Sequence, residues 1–243
     1  MVKFWPILMA SSFFVMAQGA TVKSQQHVLS PAQKKEVGEV VKDIILNQPE
    51  LIIQSLQKFQ TRQQAMAESK AVALAKENSQ ALFSNATDPF VGKADAKTVV
   101  VEFLDYQCGY CKRMHGVLSD YLLNHPDKIK VIYKVIPLLG DRSKQAALVA
   151  LGALQQGAFK DVHQKLMDQA RLSDQDITDI SEKIKLSQEQ KHMAELQMVQ
   201  NMNLAEKLQI EATPTVYILK PDQSIQIIRG FVSSEQFGKH IDG

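Results

Sequence analysis

The sequence predicts an α/β domain with a helical insertion, set behind a separate helical arm, and three observations carry that prediction. First, a β-branched run, Thr98-Val99-Val100-Val101-Glu102-Phe103-Leu104, leads through a helical pattern into a second apolar run from Ile129 to Pro137. Strand, helix, strand in that order form a right-handed crossover with a parallel sheet. Second, strand signals return only at Thr215 to Leu219 and Ser224 to Arg229, with helical periodicity filling the interval. Third, from Pro31 into the low eighties the patterning is helical, rich in Gln, Ala, Lys and Glu.

Residues 1–20 read as an export signal. Lys3 precedes an apolar stretch from Phe4 to Ala17, and Ala17-Gln18-Gly19-Ala20 offers small residues for cleavage. That stretch is shorter than the roughly 20 residues needed to span hydrocarbon, and Pro6, Ser11 and Ser12 interrupt it, so a cleaved leader is preferred to an anchor. No later stretch is apolar enough to span, so with the leader removed the mature protein is expected to be soluble in an oxidising compartment. After a polar segment, Ser30 caps a helix whose Pro31 sits at the first position and whose Val37, Val40, Val41, Ile44 and Ile45 share one face. Pro49 opens a longer helix with a dilute seam of Ile52, Leu56, Phe59 and Met66, where Gln63 replaces an apolar residue. Neither helix can build a core alone. Residues 21–86 are therefore expected to be an oligomerisation region associating through residues 30–84. Asn85 to Lys97, with Asp88-Pro89 and Gly92, reads as a turn-rich joint, and the catalytic domain is expected over residues 87–243.

Within that domain the helix after the first strand carries Met114, Val117, Leu118 and Leu122. The insertion, about residues 141–209, contains an Ala-rich helix from Ala146 and a face of Phe159, Val162 and Leu166. Ser173 and Ser187 are expected N-caps of helices carrying Ile177, Ile180, Ile184 and then Met193, Leu196, Val199. These stripes read as core faces; Met193, Met198 and Met202 have a soft-metal site as the alternative.

Composition narrows the chemistry. The 243 residues are 45% hydrophobic and 22% charged with a formal net charge of +2, so bulk charge draws the chain toward neither nucleic acid nor anionic membrane. The two cysteines are Cys108 and Cys111. A staple across so short a loop constrains the unfolded chain little, and a structural zinc site needs four ligands in a pattern that is absent. What remains is a redox pair, Cys108-Gly109-Tyr110-Cys111, placed where a strand gives way to a helix. Free N–H groups and the helix dipole there favour thiolate. Cys108 is the expected nucleophile and Cys111 the resolving thiol, with Gly109 and Tyr110 tuning the pair and contacting substrate. No cofactor or resident metal is expected beyond this disulfide.

The segment Val101-Glu102-Phe103-Leu104-Asp105-Tyr106-Gln107-Cys108-Gly109-Tyr110-Cys111-Lys112-Arg113 resembles DsbA-type periplasmic oxidoreductases, and Ala212-Thr213-Pro214-Thr215-Val216 resembles their cis-proline loop. The resemblance runs from about Asp88 to the C-terminus and implies a thioredoxin fold with a helical insertion. It implies a cis Pro214 facing the cysteines, a Thr213 that offers backbone groups to substrate, and a buried acid, Glu102, that accepts a proton as Cys111 reacts. It further pairs Lys134 with Glu102. His115 could tune a thiol or hold a metal, and Tyr106 and Gln107 could line the substrate surface. The Gly-Tyr dipeptide and Thr before Pro214 are similar to DsbC-type isomerases, and the N-terminal region to the ScsC group and dimeric Com-type DsbA relatives. The implied activity is a thiol–disulfide oxidoreductase, chiefly an isomerase with dithiol oxidase activity, acting on exported proteins. Its partner would be a membrane protein of DsbD or DsbB type, and its assembly a homodimer in preference to a trimer. A copper-handling thiol module and a non-catalytic chaperone are the alternatives.

Overall fold

The computed structural model describes residues 29–243, so the expected export signal lies outside the described residues. The chain divides into two units, 1–59 and 60–243. In the first, α1 (Pro31–Asn47) opens with a full capping box. Ser30 Oγ accepts from the Gln33 N–H at 3.3 Å, and Gln33 Oε1 accepts from the Ser30 N–H at 3.0 Å. No residue of α1 is buried. Val37, Val40, Val41, Ile45 and Leu46 stand exposed, as do Leu51, Ile52, Leu56 and Phe59 early in α2 (Pro49–Glu77).

The second unit begins within α2. The expected single helix into the low eighties is interrupted: the Asn78 side chain donates to the Leu74 carbonyl at 2.9 Å, and a short α3 (Ser79–Phe83) follows. Five strands then make one sheet in the order β1-β3-β2-β4-β5. β2 (Thr98–Leu104) pairs in parallel with β3 (Ile129–Val135) across α4 (Gly109–Asn124), as the crossover rule requires. β4 (Thr215–Leu219) runs antiparallel to β2, and β5 (Ile225–Arg229) antiparallel to β4. β1 (Phe90–Gly92) was not expected. It is an edge strand on β3, where a preceding proline is tolerated, and Pro89 still accepts from the Tyr133 N–H at 3.0 Å. Gly92 is required there: its φ is +86°, and a Cβ would come within 2.4 Å of the Ile129 carbonyl oxygen.

The insertion comprises α5 (Asp141–Leu154), α6 (Phe159–Asp168), α7 (Asp174–Ile184) and α8 (Gln188–Lys207), with capping boxes at Ser173 and Ser187; α9 (Ser234–Asp242) closes the chain. Each sheet face buries its own core. One joins Val100, Leu104, Met114, Leu118 and Phe237 to the insertion. The other joins Val101, Phe103, Ile132 and Tyr217 to Ala75, Leu82, Phe83 and Leu204. The expected domain start at residue 87 thus falls after three residues that the second core buries. Alternation also corrects the expected Lys134–Glu102 pair. Lys134 registers with Phe103, whereas Glu102 registers with Tyr133, so the two side chains point to opposite faces. Lys134 Nζ instead lies 2.5 Å from Asp88 Oδ2 and donates to the Ala81 carbonyl at 2.8 Å, a buried pair on the far face.

Candidate active site

α4 begins where β2 ends, and Cys108 is its N-cap, with extended φ −77° and ψ 113°. The Cys111 N–H donates to Cys108 Sγ at 3.3 Å, and that thiol donates to the Thr213 carbonyl at 3.3 Å. Cys108 is 8% exposed and Cys111 0%, so only the first sulfur is open to an incoming group. Hydrogen bonding from Cys111, aided by Thr213 and by the amides of Cys111 and Tyr110, outweighs burial and brings the Cys108 thiol down to about 6. Burial, the hydrogen bond to Cys108 and the nearby Glu102 push the Cys111 thiol far up. The arrangement gives one thiolate at neutral pH and one reserved thiol behind it.

Glu102 lies on the same side of the sheet, fully buried, and neither carboxylate oxygen has a hydrogen-bond partner among the described residues. Burial first, then the charge of Cys108, raises its pKa well above the usual carboxylate range. Burial therefore favours the neutral acid, on the face of the sheet opposite Phe103 and Lys134.

The loop that holds Cys108 is set by Asp105, which sequence reasoning passed over. Its buried carboxylate takes four hydrogen bonds. Oδ1 accepts from the Gln107 N–H and the Ser143 hydroxyl, each at 2.7 Å; Oδ2 accepts from the N–H groups of Leu138 at 2.7 Å and Leu139 at 2.9 Å. The Asp105–Gln107 contact is an Asx turn, and Asp followed by a polar residue two positions before a helix was the available signal.

Tyr106 is core, not substrate surface. It is fully buried, and its hydroxyl lies 2.9 Å from His163 Nδ1. His163 Nε2 is 3.2 Å from His115 Nδ1, and His115 Nε2 is 3.1 Å from Gln164 Oε1. Because Gln164 Nε2 donates to Asp168, its Oε1 must accept. With both imidazoles neutral, the hydrogen bonds then run one way, from the Tyr106 hydroxyl through His163 to His115 and out to Gln164. Burial lowers the pKa of both histidines. His115 thus ties α4 to α6, as does Lys112, whose Nζ donates to the Leu166 carbonyl at 2.8 Å. His163, four residues after Phe159 on the apolar face of α6, gave no sign of this in the sequence.

Thr213–Pro214 is a cis peptide, and the Gly230 N–H donates to the Pro214 carbonyl at 2.8 Å, fastening the loop beside Cys108. Gly109 is exposed, and Tyr110 is 59% exposed at the mouth. Arg113 stands over the Phe231 ring at 3.9 Å and the Tyr110 ring at 5.6 Å, forming one wall. The structure therefore brings Cys108, Cys111, Thr213 and Pro214 together, with Glu102 buried in the strand before them and Gly109 and Tyr110 exposed at the start of α4. Among the described residues, no group of three or more His, Cys, Asp or Glu side chains is placed to hold a metal ion.

Residues 84–242 match the family described as Thioredoxin, and residues 33–65 match the one described as Copper resistance protein ScsC N-terminal domain. BcfH of Salmonella enterica Typhimurium superposes with a TM-score of 0.70 at 25% identity, covering 86% of this chain and 95% of that one. A linker-deletion mutant of Proteus mirabilis ScsC superposes at 0.62 with 27% identity, covering 89% and 96%. Disulfide bond formation protein D of Bacillus subtilis is 26% identical over 176 residues, 63% of this chain and 75% of that protein. The Na(+)/H(+) antiporter NhaA 3 of Salinispora tropica is 25% identical over 136 residues, and the matched part of the chain spans only 21% of that protein's length. The chain belongs to the thioredoxin family, a DsbA-like thioredoxin domain preceded by a ScsC-type N-terminal domain.

Proposed function

We propose that this chain is an exported thiol–disulfide oxidoreductase that acts on protein substrates, chiefly as an isomerase. The observation that carries the reading is the Cys108 sulfur: the N-cap of α4, held toward thiolate by Cys111 and facing the carbonyl of Thr213. The chemistry follows from the two unequal thiols. The Cys108 thiolate attacks one sulfur of a substrate disulfide; a mixed disulfide forms and the other substrate sulfur leaves as thiolate. A different substrate thiolate can then displace Cys108, which completes an isomerisation with no net redox change. Alternatively Cys111 gives its proton to the ionised form of Glu102, attacks Cys108 Sγ and releases a reduced substrate. Run in reverse, a substrate thiolate opens the Cys108–Cys111 disulfide, and protonated Glu102 supplies the proton that the departing Cys111 sulfur takes up. Thr213 and Pro214 would receive the substrate strand, with Gly109 and Tyr110 beside it. No cofactor is needed beyond the cysteine pair. A membrane partner of DsbD or DsbB type would reset the pair in the periplasm.

The N-terminal unit would assemble copies of the chain, with a dimer preferred. An apolar α1 face exposed among the described residues supports this, as does the similarity to ScsC-type N-terminal domains. Thiolate absorbance of the Cys111→Ser variant should titrate well below the unperturbed thiol value of about 8.5. The rate of reaction with a disulfide reagent should fall on acidification through about pH 6, the pKa of Cys108. A midpoint at the unperturbed value would refute the central role of Cys108. Trapped ratios of reduced to oxidised protein in cells would separate isomerase from oxidase, since an isomerase must rest reduced.

A second reading, binding of a soft metal ion by the two sulfurs, draws on the description of the family matched by residues 33–65. Anaerobic copper titration of the reduced protein tests it. Tight one-to-one binding that alkylation of the thiols abolishes would support it; weak or superstoichiometric binding would not.

A further inference from the structure

On the face of the sheet away from the cysteines, a cleft of about 680 Å³ opens between α3, with the turn after it, and the C-terminal half of α8. Its size falls within the range of about 300–1,000 Å³ that small-ligand sites occupy, and the redox chemistry does not use it. Its floor holds Lys134, 2% exposed, and Asn201, 1% exposed. Groups so buried need partners, and each has one position to spare. Of the three N–H donors on Lys134 Nζ, Asp88 Oδ2 at 2.5 Å and the Ala81 carbonyl at 2.8 Å take two. Asn201 Nδ2 donates to the Val135 carbonyl at 3.2 Å, which keeps Asn201 next to Lys134, whereas its Oδ1 accepts from nothing among the described residues and is not sealed from open space. We propose that this cleft is a binding site for a neutral saccharide, one hydroxyl of which seats on the floor, accepting from Lys134 and donating to Asn201.

Charge and hydrogen-bond capacity select that class. Asp88 neutralises Lys134 at the floor, and the rim carries one cation, Lys207, and one anion, Glu77, so the cleft has no net charge to offer an ion. A carboxylate or phosphate could accept from Lys134 but would set an oxygen against Asn201 Oδ1. An ammonium could donate to Asn201 but would meet the Lys134 ammonium. A peptide group carries its donor and its acceptor on opposite sides, so it serves one of the two and not both. A hydroxyl donates and accepts through one oxygen. The walls suit further hydroxyls: Gln80 on α3 and Gln200 and Asn203 on α8 are exposed carboxamides, each able to donate and to accept. Between them Ala81, Ala86 and Leu204 leave room and apolar surface for the C–H face of a sugar ring. The inference does not rest on the reading of Cys108, since the sheet lies between the two sites.

The test is a resonance titration of the full chain with three neutral disaccharides, maltose, cellobiose and chitobiose, beside citrate and putrescine as ionic probes. At least one disaccharide is expected to shift backbone resonances of residues 77–86 and 200–207, with those of Cys108 and Thr213 unmoved. Asn203→Trp, at an exposed wall position, fills the cleft and is expected to raise the dissociation constant about tenfold. Ala86→Trp, on the opposite wall and also exposed, does the same should the first variant fail to fold. Neither should change the rate at which Cys108 reacts with a disulfide reagent. Silence from all three disaccharides would overturn the proposal, as would shifts confined to other residues or an affinity that survives in a folded variant. Larger shifts at the cleft with citrate or putrescine than with any disaccharide would make it an ion site and overturn the proposal equally. Should neither variant fold, the map of shifts on the wild-type chain decides alone.

Discussion

Single residues on the sheet and its loops set the terms of the chemistry, and their burdens can be measured. Glu102 has its pKa raised in the folded state above the reference of 4.5. Its stabilising contribution is therefore complete below pH 4.5 and is lost as pH climbs toward the folded value. Glu102→Gln should accordingly unfold at higher urea than the parent at pH 7 to 8. The gap should grow by about 1.4 kcal/mol for each pH unit between the two pKa values and vanish near pH 4. The same substitution should slow thiol exchange at Cys111 if Glu102 exchanges the proton as proposed. The histidines run the other way. With folded pKa values below 6.5, they stabilise the fold above pH 6.5 and lose that contribution as pH falls. His163→Leu would leave the Tyr106 hydroxyl and His115 Nδ1 without partners, at about 1–3 kcal/mol each, and should weaken the acid-side decline seen by urea midpoint between pH 7 and 5. Asp105→Asn replaces an acceptor of four hydrogen bonds by a group that is half donor. A loss of about 2–3 kcal/mol is expected, with Cys108 thiolate titration broadened as the loop loosens. Cys108, Cys111, Glu102, Thr213 and Pro214 could be picked out in the sequence because each sits in a short motif. His163 could not, since Tyr106 and His115 lie 57 and 48 residues away, and Asp105 offered only its Asx turn to Gln107, its other partners lying 33 to 38 residues on.

Elements were legible where the period was strong and the flanks were punctuated. β2, β3 and β4 announce themselves by β-branched runs, and Ser30, Ser173 and Ser187 by hydroxyls three residues ahead of Gln or Asp. β1 escaped because three residues beside Asp88-Pro89 look like a turn, and only pairing with β3 makes them a strand. The split of the long arm helix at Asn78 escaped for a related reason: the Asn78 side chain turns back to the Leu74 carbonyl, and Leu82 and Phe83 beyond it turn inward to a core that the local sequence does not reveal. The α4 start yields its own prediction. A Cβ at Gly109 would meet nothing within 4 Å, and the position is the first of the helix, where proline is well tolerated. Gly109→Pro should fold and gain about 0.4–1 kcal/mol through the unfolded chain, read as a raised urea midpoint of the reduced protein. A folding defect would mean that the Gly109 amide serves the thiolate directly.

At the scale of the whole molecule, the position of the boundary between arm and catalytic unit decides what can be separated. A cut near Thr87, where composition changes, would strip away Ala75, Leu82 and Phe83, and the Ala81 carbonyl that Lys134 Nζ contacts. Lys134 and Asp88 would then face water through a hole in the second core. A chain beginning at Thr87 is therefore expected to be insoluble or molten, with flattened near-ultraviolet dichroism. One beginning at Gln60 keeps the whole of that core and should fold as a monomer. The comparison reaches function through effective concentration: copies joined by their N-terminal units, as proposed, would place several Cys108 sites around one misfolded client. The chain from Gln60 should oxidise a dithiol peptide at the full-length rate, yet lose most of the capacity to reactivate scrambled ribonuclease. It should also become a better substrate for a DsbB-type oxidant that the assembly would screen out. Light scattering on both chains fixes the assembly state, and the two assays fix the activities. Equal reactivation by both, or a monomeric full-length protein, would reduce the α1 apolar face to a tether and leave isomerisation a property of one site.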